Sequence, residues 1–288
     1  MNERAVLFGA DRRLVGVVTC PPAPTRRTTG VILFNAGVVH RVGPNRLYVE
    51  LARRLSARGF TVLRFDHSGL GDSPPRDDRL DFARTTLLEA IEAMNCLEAE
   101  QQCTRFVLVG LCSGTLTAFR AAQEDVRVVS LVLLTALLQD PSTVPEEIVA
   151  EATNRRVARS YLTEKAVSGR GWRKLLAGNV DLRRIWRVIR RVVPASTSRA
   201  RALPGVAEVA TQMERLLKRG VSVFLVYPEP TTLLEYFRMT VAPQLRRFRR
   251  HGAIELTILR RADHTFTELH NQERVVDLVG TWVTQRCS

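Results

Sequence analysis

The chain has 288 residues, 45% of them hydrophobic, and a formal net charge of +14. This length fits one large domain or a core with an insertion, and the apolar fraction is sufficient for a buried core, which excludes wholesale disorder. The longest apolar stretch, residues 128–138, is far shorter than the roughly 20 residues that a membrane-spanning helix needs. No apolar run follows the acidic N-terminal residues, so we predict no signal peptide and a cytoplasmic protein.

The positive charge is concentrated in one part of the sequence. Between Arg155 and Arg201 there are twelve Arg and two Lys against one Glu and one Asp, so this segment has +12 of the chain's +14. The five cysteines are an odd number and lack the spacing of metal ligands, so we expect free thiols in a reducing compartment. We predict neither a metal site nor a cofactor.

Hydrophobic periodicity predicts an alternation of strands and helices. The predicted strands are residues 5–9, 14–20, 31–34, 61–65, 106–111, 128–136, 222–227 and 254–259. The predicted helices are residues 46–58, 82–99, 113–123, 232–250 and 268–286. Such an alternation is typical of a mostly parallel sheet with helices on both faces, so we predict an α/β fold. The core is expected in residues 1–136 and 205–288, with a basic helical lid insertion in residues 137–204.

The most informative motif is Gly110-Leu111-Cys112-Ser113-Gly114, between a predicted strand and a predicted helix. It fits the G-x-S-x-G nucleophile elbow with cysteine in place of serine, and the tight turn explains the two glycines. A cysteine just before a helix is close to the positive end of the helix dipole, which favours the nucleophilic thiolate. The alternative interpretation is a buried structural cysteine in a turn that needs glycine for other reasons.

Together with this motif, three further segments resemble the α/β-hydrolase superfamily. They are residues 35–37 (NAG), 65–73 (FDHSGLGDS) and 262–266 (ADHTF). The resemblance covers residues 31–136 and 222–287, and the basic insertion lies where such hydrolases have a lid. Within the superfamily, Arg41-Val42-Gly43 and the Gly-Leu-Cys elbow are similar to the small hydrolases found alongside exosortase systems.

The resemblance implies roles for individual residues. His264, after the last predicted strand, corresponds to the general base that takes the proton from Cys112. The superfamily usually has an aspartate shortly after the preceding strand, and this chain has none there. Glu229 is the nearest carboxylate, followed by Glu235 and Asp140. A Cys-His dyad is the remaining alternative, because a thiol needs an orienting carboxylate less than a serine does.

The remaining site residues concern the oxyanion hole and the pocket. Backbone N–H groups of Ser113 and of the Gly37–Val38 region are expected to form the oxyanion hole, and we expect the Ser113 side chain to be incidental. His40 and His67 either line the pocket or are solvated loop histidines. Asp66, Gly69 and Gly71 are expected to shape a loop.

The basic insertion contains a predicted amphipathic helix at residues 182–193, in which Trp186 lies on the apolar face, and we expect Trp186 to lie at the pocket. Its arginines are either simply solvated or bind an anionic partner: the acidic surface of an acyl carrier protein, the phosphates of a coenzyme A thioester, anionic lipid or nucleic acid. We favour the carrier protein or coenzyme A thioester, since both fit acyl transfer at Cys112. Nucleic acid is disfavoured because no recognised binding motif accompanies the charge.

These observations predict a thioesterase-like or esterase-like hydrolase that forms an acyl-Cys112 intermediate, with His264 as the base. One alternative is an acyltransferase or cyclase that passes the acyl group to a nucleophile other than water. A peptidase acting on small peptides is another. A third, from a different class, is a non-catalytic binding protein in which the missing aspartate marks lost chemistry.

Overall fold

The computed structural model describes residues 2–22, 26–136, 138–139, 141–167, 204–245, 248 and 252–287. Within these residues the strands form one eight-stranded sheet. The strands are β1 (Asn2–Phe8), β2 (Leu14–Cys20), β3 (Thr29–Phe34), β4 (Thr61–Phe65), β5 (Arg105–Leu111), β6 (Val128–Leu134), β7 (Ser222–Glu229) and β8 (Ile254–Arg260). The helices are α1 (Leu47–Ser56), α2 (Phe82–Gln101), α3 (Gly114–Glu124), α4 (Glu146–Val167), α5 (Pro204–Lys218), α6 (Thr232–Met239) and α7 (Leu269–Arg286).

The strand order is β1-β2-β4-β3-β5-β6-β7-β8. The pairs β1–β2 and β2–β4 are antiparallel, and every other neighbouring pair is parallel. The predicted mostly parallel sheet is therefore confirmed, and β1 and β2 form a hairpin at one edge of it. This order places β5 at the centre of the parallel part, next to β6, so the segments that follow these two strands emerge side by side.

Both faces of the sheet are buried, which explains the continuous apolar runs in the sequence. Along β3, Ile32 and Phe34 point into the core on the side of α2 and α3, whereas Val31 and Leu33 point into the core on the side of α1 and α7. Because successive side chains of a strand point to opposite faces, a strand covered on both sides must be apolar at every position. The same alternation continues in β5 and β6.

The structure differs from the predicted boundaries at two places that concern the site. The strand predicted for residues 128–136 ends at Leu134, because Thr135 has a left-handed φ of 51° and leaves the pleat. The helix predicted for residues 232–250 ends at Met239, and turns follow it before Pro243. Proline lacks a backbone N–H and is disfavoured inside a helix, which agrees with this early end.

Of the predicted insertion, α4 is described and packs against α6 through Ile148, Ala152 and Met239. Residues 168–203 lie outside the described part of the chain, and with them the predicted helix at 182–193 and Trp186. The extent of the insertion therefore stays a prediction. In the part of the chain that is described, no helix combines the length and apolarity required to span a membrane.

Candidate functional site

The candidate site lies at the carboxyl ends of the parallel strands, where ligands of α/β sheets generally bind. Cys112 follows β5, Thr135 follows β6, Glu229 ends β7, and His264 is in the loop after β8. Two hydrogen bonds connect these segments: the Cys112 N–H donates to the Leu134 carbonyl at 3.1 Å, and the Thr135 hydroxyl donates to the His264 carbonyl at 3.1 Å. The topology therefore brings the predicted nucleophile and the predicted base to one edge of the sheet.

Cys112 is at the apex of a strained turn, with a φ of 54° that residues other than glycine rarely adopt. The turn leaves no room for side chains on either flank. A Cβ built on Gly110 would lie 2.5 Å from the Thr115 amide nitrogen, and one on Gly114 would lie 2.6 Å from the Asn35 carbonyl oxygen. Glycine is thus required two residues before and two residues after Cys112, as in a nucleophile elbow.

Burial raises the pKa of the Cys112 thiol, although the neighbouring Ser113 N–H acts in the opposite direction. The Ser113 N–H at the start of α3 does favour the thiolate, as expected from the sequence, but it does not decide the net direction of the pKa shift. Removing the thiol from water disfavours the charged form, and this effect is larger than the stabilisation by the backbone. Cys112 is consequently a neutral thiol near pH 7 and needs a base to become a nucleophile.

His264 is suited to be that base. Burial lowers the pKa of its imidazole, while the adjacent Asp263 raises it by a smaller amount. The ring is therefore neutral near pH 7 and able to accept a proton. The loop that contains His264 is fixed by Asp263, whose carboxylate accepts hydrogen bonds from the Thr267 N–H at 2.7 Å and from the Thr265 hydroxyl at 3.1 Å.

The carboxylates considered for the third catalytic role have other partners. Glu229 accepts two hydrogen bonds of 3.0 Å from the guanidinium of Arg238. Glu235 is buried and forms ion pairs with Arg238 at 2.6 Å and with Arg159 of α4 at 2.7 Å. Asp140 lies outside the described residues. Among the residues that are described, no side-chain hydrogen bond joins His264 to a carboxylate.

Two of the three residues expected at the oxyanion hole, Gly37 and Ser113, are in contact at the elbow, in an arrangement that the sequence did not indicate. The Gly37 N–H donates a 2.7 Å hydrogen bond to the Ser113 hydroxyl oxygen. The Ser113 side chain is therefore not incidental, contrary to the sequence-based expectation. Val38, the other predicted contributor from this loop, has 85% of its surface exposed.

The two other candidate histidines are far from equivalent. His40 is exposed, and its carbonyl accepts a turn hydrogen bond from Gly43. His67 is 2% exposed, its ring lies parallel to that of Phe34, and its Nδ1 is 2.7 Å from a carboxylate oxygen of the buried Glu89 on α2. His67 is thus a core residue paired with α2, and the expectation of a solvated or pocket-lining histidine is wrong for it.

Asp66 organises the loops around the elbow, as the sequence-based interpretation proposed. Its buried carboxylate forms an ion pair with Arg41 and accepts the Arg41 N–H at 2.5 Å, the Asp72 N–H at 3.1 Å and the Asn35 amide at 3.4 Å. The early loop and the loop after β4 are thereby tied together. The Asn35 side chain also donates to the Val39 carbonyl at 2.9 Å.

An apolar cavity of about 180 Å³ lies between the end of β6, α4 and α6. Its lining includes Ala136, Leu138, Val144, Leu233 and Tyr236. Ala136 directly follows Thr135, so the cavity lies at the same edge of the sheet as the candidate site.

Two contributors to the site were not indicated by the sequence. Thr135 was placed within a strand, and Arg238 is one arginine in an Arg-rich chain. Neither residue has a local sequence signal. Thr135 acts through His264, which belongs to another segment, and Arg238 acts through Glu229, which is part of no motif.

Comparisons with known proteins agree with this geometry. A family model described as the alpha/beta hydrolase family matches residues 36–278, which is most of the chain. A search of curated proteins finds no match.

Solved structures with a similar fold include three hydrolases. An esterase from Pyrococcus furiosus is 14% identical, with a TM-score of 0.58 and coverage of 100% of this chain and 92% of the esterase. An alpha-beta serine hydrolase homologue from Coxiella burnetii is 13% identical, with a TM-score of 0.57 and coverage of 98% of both chains. A proline iminopeptidase from Mycobacterium smegmatis is 16% identical, with a TM-score of 0.56 and coverage of 99% of this chain and 98% of the peptidase. These identities show a shared fold and leave the substrate open.

Proposed function

Because the chain is an enzyme of the alpha/beta hydrolase family, we propose that it hydrolyses an ester or thioester through an acyl intermediate on Cys112. The observation that supports this proposal is the backbone of Cys112, whose φ of 54° at the end of β5 is that of the nucleophile in an elbow. The adjacent Ser113 has helical φ and ψ of −61° and −31° and belongs to the start of α3. The nucleophile of this chain is accordingly the cysteine and not the serine beside it.

The proposed reaction begins with a neutral thiol and a neutral imidazole. His264 takes the proton from Cys112 as the sulfur attacks the acyl carbonyl, and the resulting oxyanion is held by hydrogen-bond donors at the elbow. When the tetrahedral intermediate collapses, the bond to the alcohol or thiol leaving group breaks, and His264 returns the proton to that group. Water then attacks the Cys112 thioester, again losing a proton to His264, and the acid and free thiol are released.

We propose that Cys112 and His264 act as a dyad. Glu229 is the carboxylate that the sequence favours as the catalytic acid, and it forms an ion pair with Arg238 at 3.0 Å. Glu235 forms ion pairs with two arginines. A carboxylate already paired with a guanidinium is a weaker acceptor for a developing imidazolium. A thiol also demands less of its base than a serine hydroxyl, because its ordinary pKa is much closer to neutrality.

The acyl donor of the proposed reaction is an ester or a thioester. An ester is supported by the fold shared with the Pyrococcus furiosus esterase. A thioester on a carrier protein or on coenzyme A is supported by the +12 charge of residues 155–201, since both donors are anionic. The narrower similarity to the small hydrolases found alongside exosortase systems stays a prediction. Ionic strength distinguishes an anionic acyl donor from an uncharged one. The kcat/KM of a coenzyme A thioester should fall with ionic strength much more than that of an uncharged thioester.

Intact-mass analysis of the protein after exposure to a panel of acyl esters and thioesters tests the proposed function. We expect an acyl adduct on the wild type, located on Cys112 by peptide mapping, and no adduct on Cys112→Ala. Turnover should fall by at least about 10³-fold in Cys112→Ala. Cys20→Ala, which removes another partly exposed thiol, is the matched control and should keep full activity.

Full turnover by Cys112→Ala, or an adduct only on another residue, would overturn the proposed function. A wild type that is inert to the whole panel would favour the non-catalytic alternative. Product analysis with an added amine or alcohol distinguishes hydrolysis from acyl transfer, because a transferase would yield the amide or ester in place of the free acid.

A further inference from the structure

The hydrogen bond between Gly37 and Ser113 changes which groups are available to bind an oxyanion. Gly37 belongs to the loop after β3, which provides the second oxyanion-hole N–H in an elbow of this type. In this chain that N–H already donates to the Ser113 hydroxyl oxygen at 2.7 Å, an ordinary strong hydrogen bond. To bind an oxyanion directly, Gly37 would first have to give up this bond.

The Ser113 hydroxyl still has its own proton to donate. A serine hydroxyl is one donor and two acceptor sites, and only an acceptor site is used by Gly37. Within the described residues, the Ser113 O–H has no acceptor. The residue is half-buried, and its backbone N–H acts on the Cys112 thiol, whose pKa it lowers. Ser113, the residue next to Cys112 in the chain, thus has a hydroxyl proton that is available for a hydrogen bond.

We propose that the Ser113 hydroxyl is the second oxyanion-hole donor. The Gly37 N–H supports it by donating a hydrogen bond to the hydroxyl oxygen, and we call these two successive hydrogen bonds the relay. This inference rests on the proposed function, because it concerns the tetrahedral intermediate formed on Cys112. In that intermediate the Ser113 N–H and the Ser113 O–H both donate to the oxyanion, while the Gly37 N–H continues to donate to the hydroxyl oxygen. No proton is transferred in the relay.

Two physical arguments favour the relay over direct donation by Gly37. A hydroxyl that accepts a hydrogen bond becomes a better donor, because each bond in such a chain polarises the next. The supporting loop is also fixed in place: the Asn35 side chain donates to the Val39 carbonyl at 2.9 Å, and the Val39 N–H donates to the Ala36 carbonyl at 3.1 Å. These hydrogen bonds fix the loop that contains Gly37, and the Gly37 N–H is already occupied by the Ser113 hydroxyl oxygen.

The test compares Ser113→Ala and Ser113→Thr with the wild type on whichever panel substrate acylates Cys112. We expect Ser113→Ala to lower kcat by about 10- to 10²-fold with little change in KM, since one donor to the oxyanion is lost. Ser113→Thr keeps the hydroxyl and should recover most of the rate. An aldehyde analogue of the substrate, which forms an oxyanion-like adduct on the thiol, should bind Ser113→Ala more weakly by a similar factor.

The control is Ser222→Ala, which removes a partly exposed serine at the first residue of β7, the end of that strand opposite the site, and should be neutral. Circular dichroism and thermal unfolding establish that each variant is folded. A Ser113→Ala variant as fast as the wild type, or faster, would overturn the inference, because it would mean that the oxyanion is bound at least as well without the hydroxyl. A wild type without an adduct on Cys112 would instead refute the proposed function, and the inference with it.

Discussion

The hydroxyl of Thr135 donates a hydrogen bond to the backbone carbonyl of His264 across 3.1 Å. Thr135 is fully buried and has a φ of 51°, which is strained for a β-branched residue. Its own N–H donates to the Val226 carbonyl in β7 at 2.7 Å. The residue that follows β6 therefore connects the neighbouring strand to the loop that contains the proposed base.

Thr135→Val should displace His264 while leaving the shape of residue 135 almost unchanged. The variant keeps the β-branch and loses the donor, so the His264 carbonyl loses a partner in a partly buried place. We expect a loss of about 1 kcal/mol in the free energy of unfolding and a fall of about tenfold in kcat. Thr135→Ser, which retains the hydroxyl, should preserve kcat. Equal activity of the two variants would show that the hydrogen bond does not position the base.

The nucleophile elbow should not tolerate an added methyl group. Gly110→Ala would place a Cβ 2.5 Å from the Thr115 amide nitrogen, and backbone atoms move less readily than the ends of side chains. We expect a loss of about 3 kcal/mol or more in the free energy of unfolding, measured by chemical denaturation. Gly205→Ala is the control, because the new Cβ would meet only the flexible Gln139 side chain at 3.3 Å. A Gly110→Ala variant as stable as this control would contradict the close approach of Gly110 to the start of α3.

Glu229→Gln should leave catalysis almost intact if Cys112 and His264 form a dyad. We expect kcat/KM within a factor of about three of the wild type, whereas neutralising a true triad acid typically costs about 10⁴-fold. The melting temperature should fall, because Arg238 loses a partner in a partly buried ion pair. Glu255→Gln removes a carboxylate from an exposed ion pair with Arg286 and controls for loss of charge. A drop of several orders of magnitude in Glu229→Gln alone would restore Glu229 as the acid.

The pH profile of kcat/KM should report the neutral form of His264. Burial lowers the pKa of this imidazole below its ordinary value of 6.5, and the base works only when unprotonated. Activity should therefore persist as the pH falls past 6.5 and disappear through a midpoint at lower pH. Asp263→Asn should move that midpoint still lower, since Asp263 raises the His264 pKa. A midpoint at or above pH 6.5, in protein that circular dichroism shows to be folded, would contradict this expectation.

Much of the fold and the position of the nucleophile were predictable because the signals are local. A strand buried on both faces is apolar at every position, as in residues 31–34, and this requirement is visible in the sequence itself. Gly110 and Gly114 are likewise visible, since the backbone of a tight turn excludes a Cβ whatever the rest of the chain does. The position of His264 was also predictable, because it lies in the segment ADHTF shortly after the last predicted strand.

The partners of the site residues were decided only by the tertiary structure. Gly37 and Ser113 are 76 positions apart, and Thr135 and His264 are 129 apart, so no local pattern relates the members of either pair. Burial by the surrounding elements raises the pKa of Cys112, and this effect is larger than the lowering caused by the start of α3. The sequence by itself determined which residue is the candidate nucleophile and where the base follows. Packing decided how that candidate nucleophile is protonated, which carboxylates are already paired, and which hydroxyl accepts the Gly37 N–H, because these properties depend on contacts between distant segments.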